Sequence, residues 1–191
     1  MTDQLDLQPA VQRMSRLVAG VPAELLGGPT PCTEYTVGDL LDHIGGAALA
    51  FAGAASKRPL PGGPSGDAAN LAPDWRTRIQ RDLEALAAAW AEPSAWTGLT
   101  SVGGVELPGE VAGVVALDEL VIHGWDLAKA TEQDAGYDGP ELAAVQAMVQ
   151  HFRSSGIDGL FGPPVAVADN SSALACIVGL AGRDPEWQPP R

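Results

Sequence analysis

The chain is short of basic residues, aromatics and cysteines and has no long apolar run, and each shortage closes off a class of function. Against 24 Asp and Glu stand only 11 Lys and Arg, which leaves a net charge of −13. A nucleic-acid partner needs a basic footprint on the phosphate backbone, so none is expected here. The same acidity argues against an anionic membrane surface, and no apolar run approaches the ~18–20 residues of a membrane span. The two cysteines, Cys32 in a loop and Cys176 in an apolar helical stretch, form neither a CxxC metal pattern nor a disulfide framework. Met1 to Leu7 carries Asp3 and Asp6 and no basic-then-apolar export signal. A reducing, cytoplasmic setting follows, with both thiols unpaired and Cys176 buried as a small hydrophobe.

Aromatics make up 5% of the chain and apolar residues 46%, so the interior must be built from Ala, Val and Leu. Small side chains let helices approach closely, which favours an all-α fold. A chain of 191 residues fills one core, and neither a repeat nor a domain linker is visible. We therefore expect a single domain over residues 1–191, with a bundle over about 6–153 and a tail, 154–191, packed on it. Apolar spacing predicts helices over about 6–21, 37–51, 75–91, 110–131 and 140–153, and a last short one over 171–180. Thr36 with Asp39 reads as a capping box, Asp74 as an N-cap, and Pro140 as a first helical residue. Residues 57–73, rich in Pro, Gly and Ser, read as a long loop, and Gly103-Gly104 marks a small hairpin before the fourth helix. Four long helices with longer connections fit a four-helix bundle. A ferritin-type two-metal bundle needs more carboxylates at helical spacing than the chain carries.

In the fourth helix, Ala112, Val115, Ala116, Glu119, Ile122, His123 and Asp126 fall on one stripe. That stripe should face the core, yet it carries two carboxylates and an imidazole. Burying an unpaired carboxylate costs several kcal/mol, so something must compensate. A divalent cation shared by Glu119 and His123, with His43 of the second helix as a third ligand, is one answer, and it leaves positions open as in catalytic sites. A buried Glu–His ion pair and a hydrogen-bonded core histidine are the others. Asp126 either orients a ligand imidazole or is exposed. Cys32 reads as a loop residue packed beneath the second helix, and His151 as a helix-end cation. The chain holds no HExxH, no GxSxG and no phosphate loop at Gly103-Gly104.

Leu40-Leu41-Asp42-His43-Ile44-Gly45-Gly46, following Thr30-Pro31-Cys32, resembles the second-helix signature of the DinB-like superfamily. Asp118-Glu119-Leu120-Val121-Ile122-His123-Gly124-Trp125-Asp126-Leu127 is similar to the fourth-helix motif of its actinobacterial branch, the mycothiol-dependent maleylpyruvate isomerase-like metal-binding proteins. Gly182-Arg183-Asp184-Pro185-Glu186-Trp187 resembles the ending of that branch's small members. Where relatives often carry Trp before the second helix, this chain has Tyr35. The resemblance implies a DinB-like four-helix bundle and a metal triad at His43, Glu119 and His123. It also implies zinc (or nickel) as the metal, mycothiol as cosubstrate and a homodimer. The chain reads as too short for the isomerase's additional C-terminal domain. Transfer of a small thiol to another electrophile is then the expected activity, and a metal-binding or stress-response module without turnover is the rival from a different class.

Overall fold

The computed structural model describes residues 5–63, 66–137, 139–155 and 161–190. Parts of the expected N-terminal segment, loop and tail, at 1–4, 64–65, 156–160 and 191, lie outside the described residues. Among the described residues six α-helices run in order: α1 (Gln8–Gly20), α2 (Val37–Ala55), α3 (Trp75–Trp90), α4 (Gly109–Ala130), α5 (Glu141–Ser154) and α6 (Ala173–Leu180). A two-stranded antiparallel hairpin, β1 (Leu99–Val102) and β2 (Val105–Pro108), stands directly before α4. Its turn residues Gly103 and Gly104 both have positive φ, a conformation glycine adopts without steric cost.

α2 packs against both α3 and α4, and α1 packs against the same two helices, which closes a four-helix bundle. α5 lies on α4, and α6 lies on α5. The core is aliphatic, with Val18, Val37, Leu40, Leu41, Leu83, Leu117, Val121 and Leu127 fully enclosed. α4 is buried on almost all sides, because α1, α2, α5 and the hairpin each cover part of it. Among the described residues, no helix is long and apolar enough to cross a membrane.

The capping box at Thr36 and Asp39 is present in both directions: the Thr36 hydroxyl accepts from Asp39 N at 3.2 Å, and Thr36 N donates to Asp39 Oδ2 at 2.9 Å. Two other cap assignments need correction. Asp74 occupies the N-cap position of α3 but makes no side-chain cap hydrogen bond. Pro140 precedes α5 as its N-cap, and the helix begins at Glu141. Residues 57–73 contain a short 3-10 turn, Ala68–Asn70, tied to α2: Ala68 N donates to Asp39 Oδ1 at 2.8 Å and Asp67 N to Asp42 Oδ2 at 3.1 Å. The loop therefore belongs to the N-terminal end of α2, the helix that carries His43. On the other side, Gly124 lets the Tyr137 ring lie flush against α4, where its hydroxyl donates to Leu120 O at 2.7 Å.

Candidate functional site

α2 and α4 run side by side, and their polar residues meet. His43 is 8% exposed, and its Nε2 lies 3.1 Å from Glu119 Oε2. The same oxygen is 3.4 Å from Nε2 of His123, one turn farther along α4. The two imidazoles meet edge to face, with ring centroids 4.7 Å apart. One ligand atom from each of His43, Glu119 and His123 falls within 4.8 Å of the others, a separation that a single cation can bridge. The structure thus gathers the three sequence-predicted residues at one point.

The outer nitrogens of the two rings differ in their partners. His123 Nδ1 is 3.0 Å from Asp126 Oδ2. Asp126 is fully buried, and Arg183 grips both of its oxygens, Nε at 3.3 Å and Nη2 at 3.1 Å. A carboxylate forked by a guanidinium accepts and does not donate, so His123 must carry its hydrogen on Nδ1. Asp126 thus takes the orienting place of the two left open by the sequence. His43 Nδ1 faces a neutral group, the Tyr35 hydroxyl, at 3.5 Å. Burial raises the Tyr35 pKa, which keeps the phenol protonated.

Electrostatics follow from this layout. Burial pushes the Glu119 pKa up, but the hydrogen bond from His43 and the electrostatic influence of His123, His43 and Arg183 outweigh it, and the net shift is down. Asp118, also on α4, has no cation fork. Its Oδ1 is buried without a partner, and burial together with the nearby Glu119 lifts its pKa well above the ordinary carboxylate value. The pKa values of these two neighbouring carboxyls are thus pushed in opposite directions by their surroundings.

Sequence reasoning missed two members of this neighbourhood. Arg183 appeared only inside a tail motif, with no role attached. Its signal was a basic residue in a chain poor in them, though nothing local tied it to Asp126, 57 positions earlier. Cys32 lies beside His123 and Asp126, with ligand atoms of all three within 4.8 Å. Burial raises its pKa, which Arg183 partly offsets. Cys176 is half-buried rather than buried, a correction that follows from the exposed face of α6. His151 sits exposed in the last turn of α5, as a helix-end cation should.

A family model described as the mycothiol maleylpyruvate isomerase N-terminal domain matches residues 7–128. The chain belongs to this family. The match runs from α1 to the end of α4 and so includes His43, Glu119 and His123, but not Arg183. Two relatives, each described as an uncharacterized protein and coming from two strains of Mycobacterium tuberculosis, are 34% identical over 156 residues, covering 78% of this chain and 81% of theirs. The crystal structure of the mycothiol-dependent maleylpyruvate isomerase superposes with a TM-score of 0.70 at 18% identity, over 96% of this chain and 93% of that one. The DinB-like helical fold is thereby shared.

Proposed function

We propose that the chain is a metal-dependent enzyme that uses a small thiol of the mycothiol type, as a transferase or isomerase acting on a small electrophile. His43, Glu119 and His123 hold one divalent ion, zinc first and nickel second. The working unit is a single domain over residues 1–191, cytoplasmic and homodimeric.

One observation carries the metal. Asp126 commits the hydrogen of His123 to Nδ1, so its Nε2 presents a lone pair to Glu119 Oε2 at 3.4 Å. Two acceptors at that distance, in a partly buried setting, need a positive charge between them, either a second proton on the ring or a cation. The convergence of His43 on the same oxygen favours the cation, because two imidazoles and one carboxylate make a donor set suited to zinc. When bound, the ion would supply Lewis acidity and lower the pKa of a coordinated thiol into the neutral range. The chain's own part is positional: Asp126 and Arg183 orient His123, and the apolar side chains of Ile44, Ala47 and Ala116 wall a small cavity beneath the site. A second reading, a metal-binding module without turnover, draws on the size of that lower cavity. It is about 10 Å³ beside Glu119 and His123, room for one water, so a substrate has to approach from the outer side of the site.

Metal analysis of protein purified without chelators tests the first half of the proposal. About one zinc or similar ion per chain is expected, lost in His43→Ala and His123→Ala while the helical circular dichroism persists. Unchanged metal content in both variants removes the assignment. Cobalt-substituted protein titrated with mycothiol, glutathione serving as comparison, tests the second half. A sulfur-to-cobalt charge-transfer band is expected with mycothiol, and its absence at millimolar thiol would move the binding-module reading ahead.

A further inference from the structure

The two candidate ligand histidines are oriented by chemically different partners, and the difference assigns a role to Tyr35. Asp126 accepts only, so it fixes His123 in one tautomer. A phenol offers one O–H donor and oxygen lone pairs as well, so it can serve either tautomer of the ring it faces.

In the arrangement observed, His43 Nε2 is 3.1 Å from a carboxylate oxygen that can only accept, so Nε2 carries the hydrogen. Nδ1 is then a bare acceptor, 3.5 Å from the Tyr35 hydroxyl, which donates to it. For Nε2 to hold a cation the same neutral ring must carry its hydrogen on Nδ1 instead. One proton leaves Nε2 and one arrives at Nδ1 by way of solvent, beside the half-buried Tyr35, with no net release. The Tyr35 hydroxyl then turns and accepts from Nδ1–H.

We propose that Tyr35 is a positioning residue for His43, an amphoteric partner that holds the imidazole in place both without and with the metal. This deepens the reading above and rests on it. Tyr35 is built in for that purpose from both sides. Tyr35 N donates to Cys32 O at 2.9 Å, and its carbonyl accepts from the Thr30 hydroxyl at 2.9 Å, so the backbone of the turn is fixed. Gly66 lies so close to the ring that a Cβ there would come within 3.0 Å of Tyr35 Cε1. The 66–70 segment is itself bonded to Asp39 and Asp42 of α2, so ring and imidazole are carried by one connected assembly.

The test compares wild-type protein with Tyr35→Phe, which keeps the ring and removes only the hydroxyl. Zinc affinity is measured by competition with a chromophoric chelator, and imidazole nitrogen NMR reads the His43 tautomer in metal-free and zinc-loaded protein. Tyr35→Phe should bind zinc about tenfold more weakly, the lower end of the range for losing such an outer partner. The wild-type ring should carry hydrogen on Nε2 without metal and on Nδ1 with it. Equal zinc affinity in the two proteins overturns the inference, and so does a metal-free wild-type ring protonated at Nδ1. That second reading needs no variant, so a Tyr35→Phe protein that fails to fold leaves the inference open to refutation. If wild-type protein takes up no zinc, the functional reading fails by itself. Exchange broadening of the His43 nitrogen signals in metal-free Tyr35→Phe, absent from wild type, would still support Tyr35 as the partner that holds His43 in place.

Discussion

The two halves of the site answer one problem, how to aim an imidazole, by opposite means. On the α4 side, His123 is held by charge: a fully buried carboxylate, forked by a guanidinium that arrives from beyond α6. On the α2 side, His43 meets a neutral hydroxyl, carried on a support whose capping box and loop bonds run through the Asp39 and Asp42 carboxylates. The first device is rigid and depends on the distant tail. The second is adjustable and is assembled from residues 35–43 and 66–70. Charge fixes a tautomer at the risk of a large penalty if one partner is lost, whereas a neutral partner risks little and specifies less.

That contrast can be broken most directly at Arg183. Arg183→Met keeps much of the side-chain volume but leaves Asp126 buried without its cation, and should cost about 3 kcal/mol of stability. Urea unfolding followed by circular dichroism measures it, and a loss below about 1 kcal/mol, the scale of an ordinary hydrogen bond, would show that the α4 side is not charge-locked. On the α2 side the expected effect is smaller. Thr36→Ala removes half of the capping box and should cost about 1 kcal/mol, read in the same experiment. A cost equal to that of Arg183→Met would erase the distinction between the two sides.

The smallest effect is a pH dependence. Hydrogen bonds from the Thr36 side chain, the Ala68 amide and the Thr36 amide hold the Asp39 pKa below 3.8, its ordinary value. A depressed folded-state pKa means that the charged form is favoured by folding. The contribution is therefore fully present above the unfolded value and disappears as pH falls through the folded one. Asp39→Asn should be less stable than wild type at pH 7, and the gap should close as the acid is titrated below about 3.8. A gap that stays constant as pH falls well below 3.8, through the folded-state value, would mean that Asp39 acts by shape rather than by charge.

Local patterns in the sequence carried the parts of this picture that are themselves local. The spacing of Val11, Met14, Leu17 and Val18 marks the buried face of α1, and Glu119 and His123 are brought together simply by being one helical turn apart. Thr36 and Asp39 announce a helix start because both partners lie within four residues. What could not be read depends on contacts across the chain. The stripe on α4 points Asp126 toward the core, but the cation that allows its burial lies in the tail and nothing local announces it. Cys32 has no periodic neighbours, so its place beside His123 follows only once α2 and α4 are packed. Asp74 has the right residue type in the right position, but its backbone sits near φ −97° and ψ 19° rather than extended, and the side chain does not bond the helix. The bundle arrangement offered His43 as a partner for α4 and the resemblance favoured it, since spacing within one helix is silent about which helix will lie beside it.

Arg183 also gives the site an order of completion during synthesis. The bundle helices α1 to α4 are made first, and Asp126 emerges with them, while its cation follows 57 residues later. At ordinary elongation rates of about 5–20 residues per second that interval is about 3–11 s. Throughout it the nascent bundle holds a carboxylate at a position where burial is unfavourable without a counter-charge. Covering Asp126 is therefore costly until the tail arrives, with His123 as its partner in the meantime. Arg153 at the end of α5 then receives that tail, donating from Nε and Nη2 to Leu180 O and from Nη2 to Gly162 O. In translational terms the α2 half of the site matures with the nascent chain, and the α4 half waits for the tail.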